Sequence, residues 1–354
     1  MIDRQKSIST NIQAGYDFPM RNIKPNYRPR VAARQEQFRG VSLDQAARDF
    51  QKASRADNTT HTYQSGQKQF KAFCRENDFE VFPGDPEAVR QFLVYLAIRK
   101  GLSIATVKVR FAALRRMYRD ELGRRFNVTD TDAVRDCLEG LIRTLAEAPV
   151  QAPSLGATQI RQIVRALGKG DGKAWSVRAL RDRALLLVTY AGAFRRSEVS
   201  ALLRCDCLFE ADGVRILLRR SKTDQQSDGE WIGIGFGKRS YTCPVRCMRA
   251  WFDVSPDCEY VFTPVSRGDK PVDEQLQPKG VGRIVKSLAH KAGLDPEAFT
   301  AHSLRAGMTT DLNEAGVSTA MVQQRTRHRS TSMVARYHRP GTVLKTNYTR
   351  RAGL

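Results

Sequence analysis

Tyr337 stands nine residues after His328 in the segment His328-Arg329-Ser330-Thr331-Ser332-Met333-Val334-Ala335-Arg336-Tyr337. A tyrosine hydroxyl titrates near pH ~10 and is a poor nucleophile at neutrality. Cations around it lower that cost. Three earlier segments carry groups suited to the same task. Ala301-His302-Ser303-Leu304-Arg305 holds an i, i+3 pair, which on a helix places His302 and Arg305 on one face. Ala193-Phe194-Arg195-Arg196-Ser197-Glu198 places a carboxylate three residues after Arg195, with Ser197 available to cap a helix. Lys222 sits in Ser221-Lys222-Thr223-Asp224 between two strand-like runs. Breaking a phosphodiester without a metal requires a nucleophile for phosphorus, fixed cations for the charge on the phosphoryl oxygens, and a proton for the leaving oxygen. These segments supply a candidate for each requirement.

Read singly, each group has an ordinary role. Arg195 is an arginine at a helix start, Lys222 a turn lysine, His302 a polar residue in a first helical turn, and Tyr337 a core tyrosine. An arginine fork fits phosphate oxygens bidentately, and histidine titrates close to neutrality. The combination and order along one stretch of chain set them apart.

The elements that must position these groups follow from periodicity. Residues 1–40 are a basic arm interrupted by Pro19, Pro25 and Pro29. From 41 to 147 the pattern predicts a small helical domain, with helices over 59–77, 86–100, 103–123 and 131–148. In the third of these, Val107, Phe111, Leu114 and Tyr118 make an apolar stripe. Lys108, Arg110, Arg115, Arg116 and Arg119 form a basic face suited to DNA phosphates. Residues 148–156, with Pro149, Pro153 and Gly156, predict a linker. Residues 157–340 predict a second domain of mixed character: an apolar helix over 177–191, strands over 214–219 and 231–236 with Lys222 at their hairpin tip, and helices over 244–252, 281–292, 302–315 and 319–325. A tail, 341–354, carries Val343, Leu344 and Tyr348. The fold class is therefore mainly α with a small β-sheet (α+β).

Composition agrees with a polyanionic partner. The 354 residues carry 59 Lys and Arg against 37 Asp and Glu, a net charge of +22. A surplus of that size favours nucleic acid, because each neutralised phosphate releases counterions. No apolar run is long enough for a membrane span and the N-terminus lacks a secretory core, so a cytoplasmic, nucleoid-associated protein is expected. Of the seven cysteines, Cys205/Cys207 and Cys243/Cys247 lack the usual paired spacing of zinc ligands, and reduced thiols are expected.

The set R-x-S-E, hairpin lysine, H-x-L-R, and a His nine residues before a Tyr resembles the catalytic residues of the tyrosine recombinase (phage integrase) family. The matching positions are Arg195, Glu198, Lys222, His302, Arg305, His328 and Tyr337, and the resemblance covers residues 45–340. It implies a core-binding domain followed by a catalytic domain, closing as a clamp on double-stranded DNA with a specific target site. It also implies roles. Arg195 and Arg305 hold the scissile phosphate, and Tyr337 forms a 3′-phosphotyrosyl bond. Lys222 protonates the leaving 5′-oxygen, His302 moves protons, and His328 hydrogen-bonds the phosphate. Neither metal nor nucleotide cofactor is required, and recombination would involve a homo-tetramer on DNA, with accessory DNA-bending or directionality proteins as further partners. Two features depart from the pattern or blur it. Arg327 stands where the family usually has glycine before the histidine, which questions the local turn. Arg196 beside Arg195 offers a second cation, although the R-x-S-E register favours Arg195. The competing readings are a type IB topoisomerase-like enzyme and a DNA-binding regulator without catalysis.

Overall fold

In the computed structural model, residues 39–53, 57–123, 127–147, 153–168, 175–219, 229–255 and 258–335 are described. Lys222, Arg336, Tyr337, the tail 341–354, almost all of the N-terminal arm and most of the linker lie outside them. The chain divides into two units, one spanning Tyr27–Val150 and the other containing Gln151–Leu354.

The first unit is helical: α1 (Leu43–Ala53), α2 (Asp57–Glu76), α3 (Pro86–Val94), α4 (Ile104–Leu122) and α5 (Asp132–Leu145). Asp85 caps α3 by accepting from the Glu87 N–H at 2.7 Å, with Pro86 in the first turn. The helix does not run to Lys100 as one α-helix. Tyr95–Arg99 is a π turn, closed by the Lys100 N–H donating to the Tyr95 carbonyl at 3.0 Å. The apolar stripe of Val89, Phe92, Leu93 and Leu96 is buried throughout and joins Phe70, Phe73, Leu114 and Tyr118 in one core. Phe70 meets Phe92 edge-on at 5.1 Å between ring centroids.

The opposite face of α4 is basic, though not uniformly free for a ligand. Lys108, Arg115 and Arg119 are exposed, while Arg110 and Arg116 are half-buried. Arg110 lies against α2, donating to the Thr62 carbonyl at 2.9 Å. Arg116 pairs with Asp120 at 2.5 Å and Arg115 with Asp130 at 2.8 Å. Surface pairs of this kind contribute only about 0.2–1 kcal/mol, so such an arginine can exchange its carboxylate for a phosphate at little cost.

The second unit is built on α7 (Val177–Ala191), whose residues Ala184 to Val188 are buried on all sides. Around it lie α6 (Ala157–Ala166), α8 (Arg196–Ser200), α9 (Pro244–Val254), α10 (Pro278–Lys291), α11 (Ala301–Glu314), α12 (Thr319–Thr326) and α13 (Thr331–Ala335). The sheet has three antiparallel strands in sequence order: β1 (Cys207–Glu210), β2 (Gly213–Leu218) and β3 (Glu230–Gly235). Leu218 pairs with Glu230 at the hairpin's outer end, beyond which the Lys222 segment leaves the described residues. The fold is mainly helical with one small sheet, as the periodicity predicts. The helices and strands expected from the sequence did not include α1, α6 or β1.

Asp311 of α11 joins three helices. It accepts from the Ala157 N–H at 2.7 Å at the start of α6 and from the Tyr190 hydroxyl at 2.5 Å near the end of α7. Gly307 lets the entering chain press against α11. A Cβ there would stand 2.1 Å from the Leu155 carbonyl oxygen, while the Leu155 N–H donates to Ser303 O at 2.9 Å. These contacts hold the first turns of α11, and so His302 and Arg305, in fixed register with α7.

Candidate active site

The end of α7 turns sharply into α8. Gly192 is required there because a Cβ would meet the Phe194 ring at 2.1 Å, and Ala193 adopts φ +47°. The turn delivers Arg195 to the N-cap of α8. The expectation that Ser197 caps this helix is corrected. Ser197 lies inside the first turn, and the cap is made by Glu198, whose Oε2 accepts from the Arg195 N–H at 2.8 Å. A carboxylate at the third helical position reaches back to the cap more directly than a serine in the first turn.

Glu198 is 4% exposed and binds two guanidinium groups. Its Oε1 accepts from Arg195 Nη1 at 2.5 Å and its Oε2 from Arg327 Nη2 at 3.1 Å. Burial pushes this carboxyl up. The charge of Arg327, together with the N–H and guanidinium of Arg195, outweighs that and holds it below the ordinary carboxylate range. Arg195 is half-buried and Arg196 exposed, so the first of the two neighbouring arginines is the one built into this cluster.

Arg305 is 1% exposed and donates from Nη1 to the Ala193 carbonyl at 2.7 Å. It therefore shares the α7–α8 turn with Arg195. His302 sits one turn earlier on α11, exposed, with Thr300 as N-cap accepting from the His302 N–H at 3.2 Å. Partial desolvation and then the charges of Arg305 and Arg195 hold its imidazole below the ordinary histidine value.

His328 follows α12, 6% exposed. Its Nδ1 shares a hydrogen bond of 2.7 Å with Thr326 Oγ1, and its carbonyl accepts from Gln323 Nε2 at 3.1 Å. Desolvation first, then Arg305, Arg195, His302 and Arg327, push the imidazole down to about 4. Each imidazole thus lies in the field of both Arg195 and Arg305, which marks the four as one constellation drawn from three separated segments. Lys222 and Tyr337 lie outside the described residues. Thr326, which orients the His328 ring, and Arg325, whose Nη1 donates to Gly233 O of β3 at 2.7 Å, were not among the expected site residues. Neither residue type announces such a role in a sequence.

Arg327 settles the local turn in a way the family glycine does not. It takes a left-handed conformation, φ +54°, at the end of α12, as glycine commonly does in that position. The side chain that glycine lacks is 7% exposed and packed inward.

A pH dependence follows from His328. Its native value lies below the ordinary 6.5, so the unfolded chain binds more protons as pH falls. The stability that neutral His328 contributes is whole above pH 6.5 and is lost as pH falls towards about 4. Thermal melts should show Tm decreasing from pH 7 to pH 5, with His328→Gln flattening part of that decrease. Equal slopes in variant and parent would contradict this.

The cysteines of the described residues are free thiols. Cys243 accepts the Gly237 N–H at 3.3 Å and Cys207 donates to Leu203 O at 3.4 Å. Among the described residues no group of three or more His, Cys, Asp or Glu side chains could hold a metal ion, and no helix is long and apolar enough to cross a membrane.

Residues 153–342 match the model of the phage integrase family, and residues 43–121 match the phage integrase SAM-like domain. An integrase/recombinase XerD homolog of Selenomonas ruminantium is 30% identical over 327 residues, covering 92% of this chain and 93% of that protein. Recombinase Cre of Escherichia phage P1 is 25% identical over 276 residues, covering 73% and 76%. Among solved structures, a lambda integrase dimer bound to a COC′ core site superposes with a TM-score of 0.55 at 16% identity, covering 89% of this chain and 82% of that one. The Tn1549 transposon integrase in complex with transposon right end DNA gives 0.55 at 16%, covering 91% and 98%. The chain belongs to the phage integrase family and is a tyrosine recombinase, an enzyme of site-specific DNA breakage and rejoining.

Proposed function

We propose that this recombinase cuts DNA through a 3′-phosphotyrosyl intermediate on Tyr337, within a tetramer that pairs two target sites. The observation that carries the reading is that Arg195 and Arg305 meet at the α7–α8 turn, with both imidazoles in the field of both arginines. Two fixed guanidinium groups suit the two non-bridging oxygens of a phosphodiester and the charge that grows there in the transition state. The Tyr337 oxygen attacks phosphorus and the bond to the 5′-oxygen breaks. His302, neutral at physiological pH because its value is lowered, accepts the tyrosine proton, and Lys222 supplies one to the leaving oxygen. His328 donates to a phosphate oxygen. The 5′-hydroxyl of the partner strand then attacks the phosphotyrosine and releases Tyr337, so the ester keeps the bond energy and no cofactor is consumed.

In the same reading, the helical unit and the catalytic unit grip the duplex as a clamp, and the exposed Lys108, Arg115 and Arg119 of α4 contact phosphates. The setting is a mobile genetic element in the cytoplasm. A structure of lambda integrase shows a tetramer bound to a Holliday junction, and that protein shares this chain's fold. The tail 341–354 is the segment proposed to dock on a neighbouring protomer.

With paired DNA sites, four-way junctions should appear before recombinant product, and truncation after Pro340 should reduce both while leaving single-site binding within about threefold. Relaxation of supercoiled DNA without any junction, equally fast for the truncated chain, would instead indicate a topoisomerase-like enzyme acting as a monomer.

A further inference from the structure

We propose that Arg327 is a positioning residue, fixing the Arg195 guanidinium and giving the cluster around Glu198 the net positive charge that receives a phosphate. This rests on the reading of Arg195 as a phosphate clamp. The last carbonyls of a helix lack intrahelical partners and carry the negative end of its dipole. At the end of α7 and in the turn that follows, successive carbonyls are taken by arginines. Arg325 binds Ala191 O. Arg327 binds Gly192 O from Nη1 at 3.1 Å and Ala193 O from Nη2 at 3.0 Å. Arg305 also binds Ala193 O. The α7–α8 turn is thereby pinned from the side of α12.

The second part of the arrangement is a closed ring. Arg327 Nη2 reaches Glu198 Oε2, Glu198 Oε1 holds Arg195 Nη1, and Arg195 Nη2 returns to the Arg327 carbonyl at 3.1 Å. Every link is a charged or carbonyl acceptor with an arginine donor, which makes short, directional bonds. The left-handed backbone at Arg327 turns that carbonyl back towards Arg195 while the side chain reaches Glu198.

The ring also sets the charge. Arg195 and Glu198 alone would be a neutral pair with little attraction for an anion. Arg327 shares the carboxylate, so the trio carries a net charge of one positive unit. A glycine in this place would supply the turn but neither the ring nor the extra charge. The enzyme therefore depends on a side chain at a position where the family pattern has none.

The test uses the full chain and a nicked duplex carrying its site, from which cleavage is irreversible. Cleavage is read at saturating protein, DNA affinity by anisotropy, and folding by thermal melt. Arg327→Gly keeps the left-handed turn without cost, and Arg327→Gln keeps hydrogen bonding without charge. Both should cleave about ten- to a hundredfold more slowly, with affinity within about threefold, because a misdirected clamp costs rate rather than binding. Arg327→Gln added to Arg195→Ala should slow cleavage no further than Arg195→Ala alone. The proposal is overturned by parental cleavage rates in both single variants. It is also overturned by weaker binding and lower Tm with unchanged cleavage per bound complex, or by full additivity with Arg195→Ala. Arg195→Ala alone checks the underlying reading. If it cleaves at the parental rate, Arg195 leaves the chemistry and this role goes with it. If it is slow while Arg327→Gly and Arg327→Gln are not, the positioning role alone fails.

Discussion

Tyr337→Phe should form no covalent adduct with DNA while binding its site within about threefold of the parent. The substitution removes one oxygen and leaves ring, volume and charge. On the proposed reading, affinity would come from phosphate contacts across the basic surface of a chain with net charge +22 and from Arg195 and Arg305, all of which remain. Cleavage has no such reserve, because the attacking atom itself is missing. The measurement is a suicide duplex, a denaturing gel and mass spectrometry of the linked peptide. An adduct that persists in Tyr337→Phe, or that maps to Tyr348, would assign the nucleophile elsewhere. Tyr337 carries this prediction from sequence spacing. Tyr337 itself lies outside the described residues; His328, nine residues earlier, stands in the field of Arg195 and Arg305.

The helices of both units are readable wherever one face is apolar at helical spacing. α7 shows this at its limit, with its boundaries at Val177 and Ala191 as the pattern predicts. Shorter elements are hidden for local reasons. β1 is four residues, Cys207–Glu210, all half-buried, so no alternation of apolar and polar side chains marks it. α6 presents Ile160, Ile163 and Val164 to the core, yet it begins directly after Gly156, and a loop-like flank masks so short a stripe. The π turn at Tyr95–Arg99 leaves no trace in composition. Leu96 remains on the buried side, so the apolar stripe continues through the irregularity.

The chemistry is legible differently from the arrangement. Arg195, Glu198, His302, Arg305 and His328 stand out by order and spacing, since the proposed reaction would restrict residue type at each. What supports them does not stand out. Carbonyl oxygens at Gly192 and Ala193 exist in any sequence, and their use as acceptors for Arg305 and Arg327 depends on how α7, α11 and α12 pack. Arg327 is visible in the sequence only as a departure from glycine. Its inward direction depends on the left-handed turn and on Glu198, which lies 129 residues away in the chain. Ser197 shows the converse. Its residue type suits a cap, but Glu198 at the third helical position takes the N–H instead.

Arg305→Ala should reduce cleavage at saturating protein by about 10²- to 10³-fold, the scale seen when one preorganised donor to a developing oxyanion is removed. The local fold gives reason to expect a folded variant. Ala193 O loses the Arg305 bond but keeps Arg327 Nη2 at 3.0 Å, so the carbonyl is not left bare, and Gly192 O is untouched. The loss is then one of charge at the phosphate rather than collapse of the turn. Two secondary effects have a definite sign. Arg305 is among the charges that lower both His302 and His328, so its removal should move both imidazoles upward towards the ordinary value, and the residual cleavage should follow a pH profile displaced to higher pH. Arg305→Lys should recover little of the rate, because an ammonium is a point charge without the planar fork that holds the Ala193 carbonyl and a phosphate oxygen in fixed directions. Quench-flow cleavage of the suicide duplex between pH 6 and pH 9, with affinity measured alongside, reads all of these quantities. A parental rate in Arg305→Ala, or a rate loss fully accounted for by weaker binding, would show that the buried guanidinium is part of the scaffold and not of the chemistry.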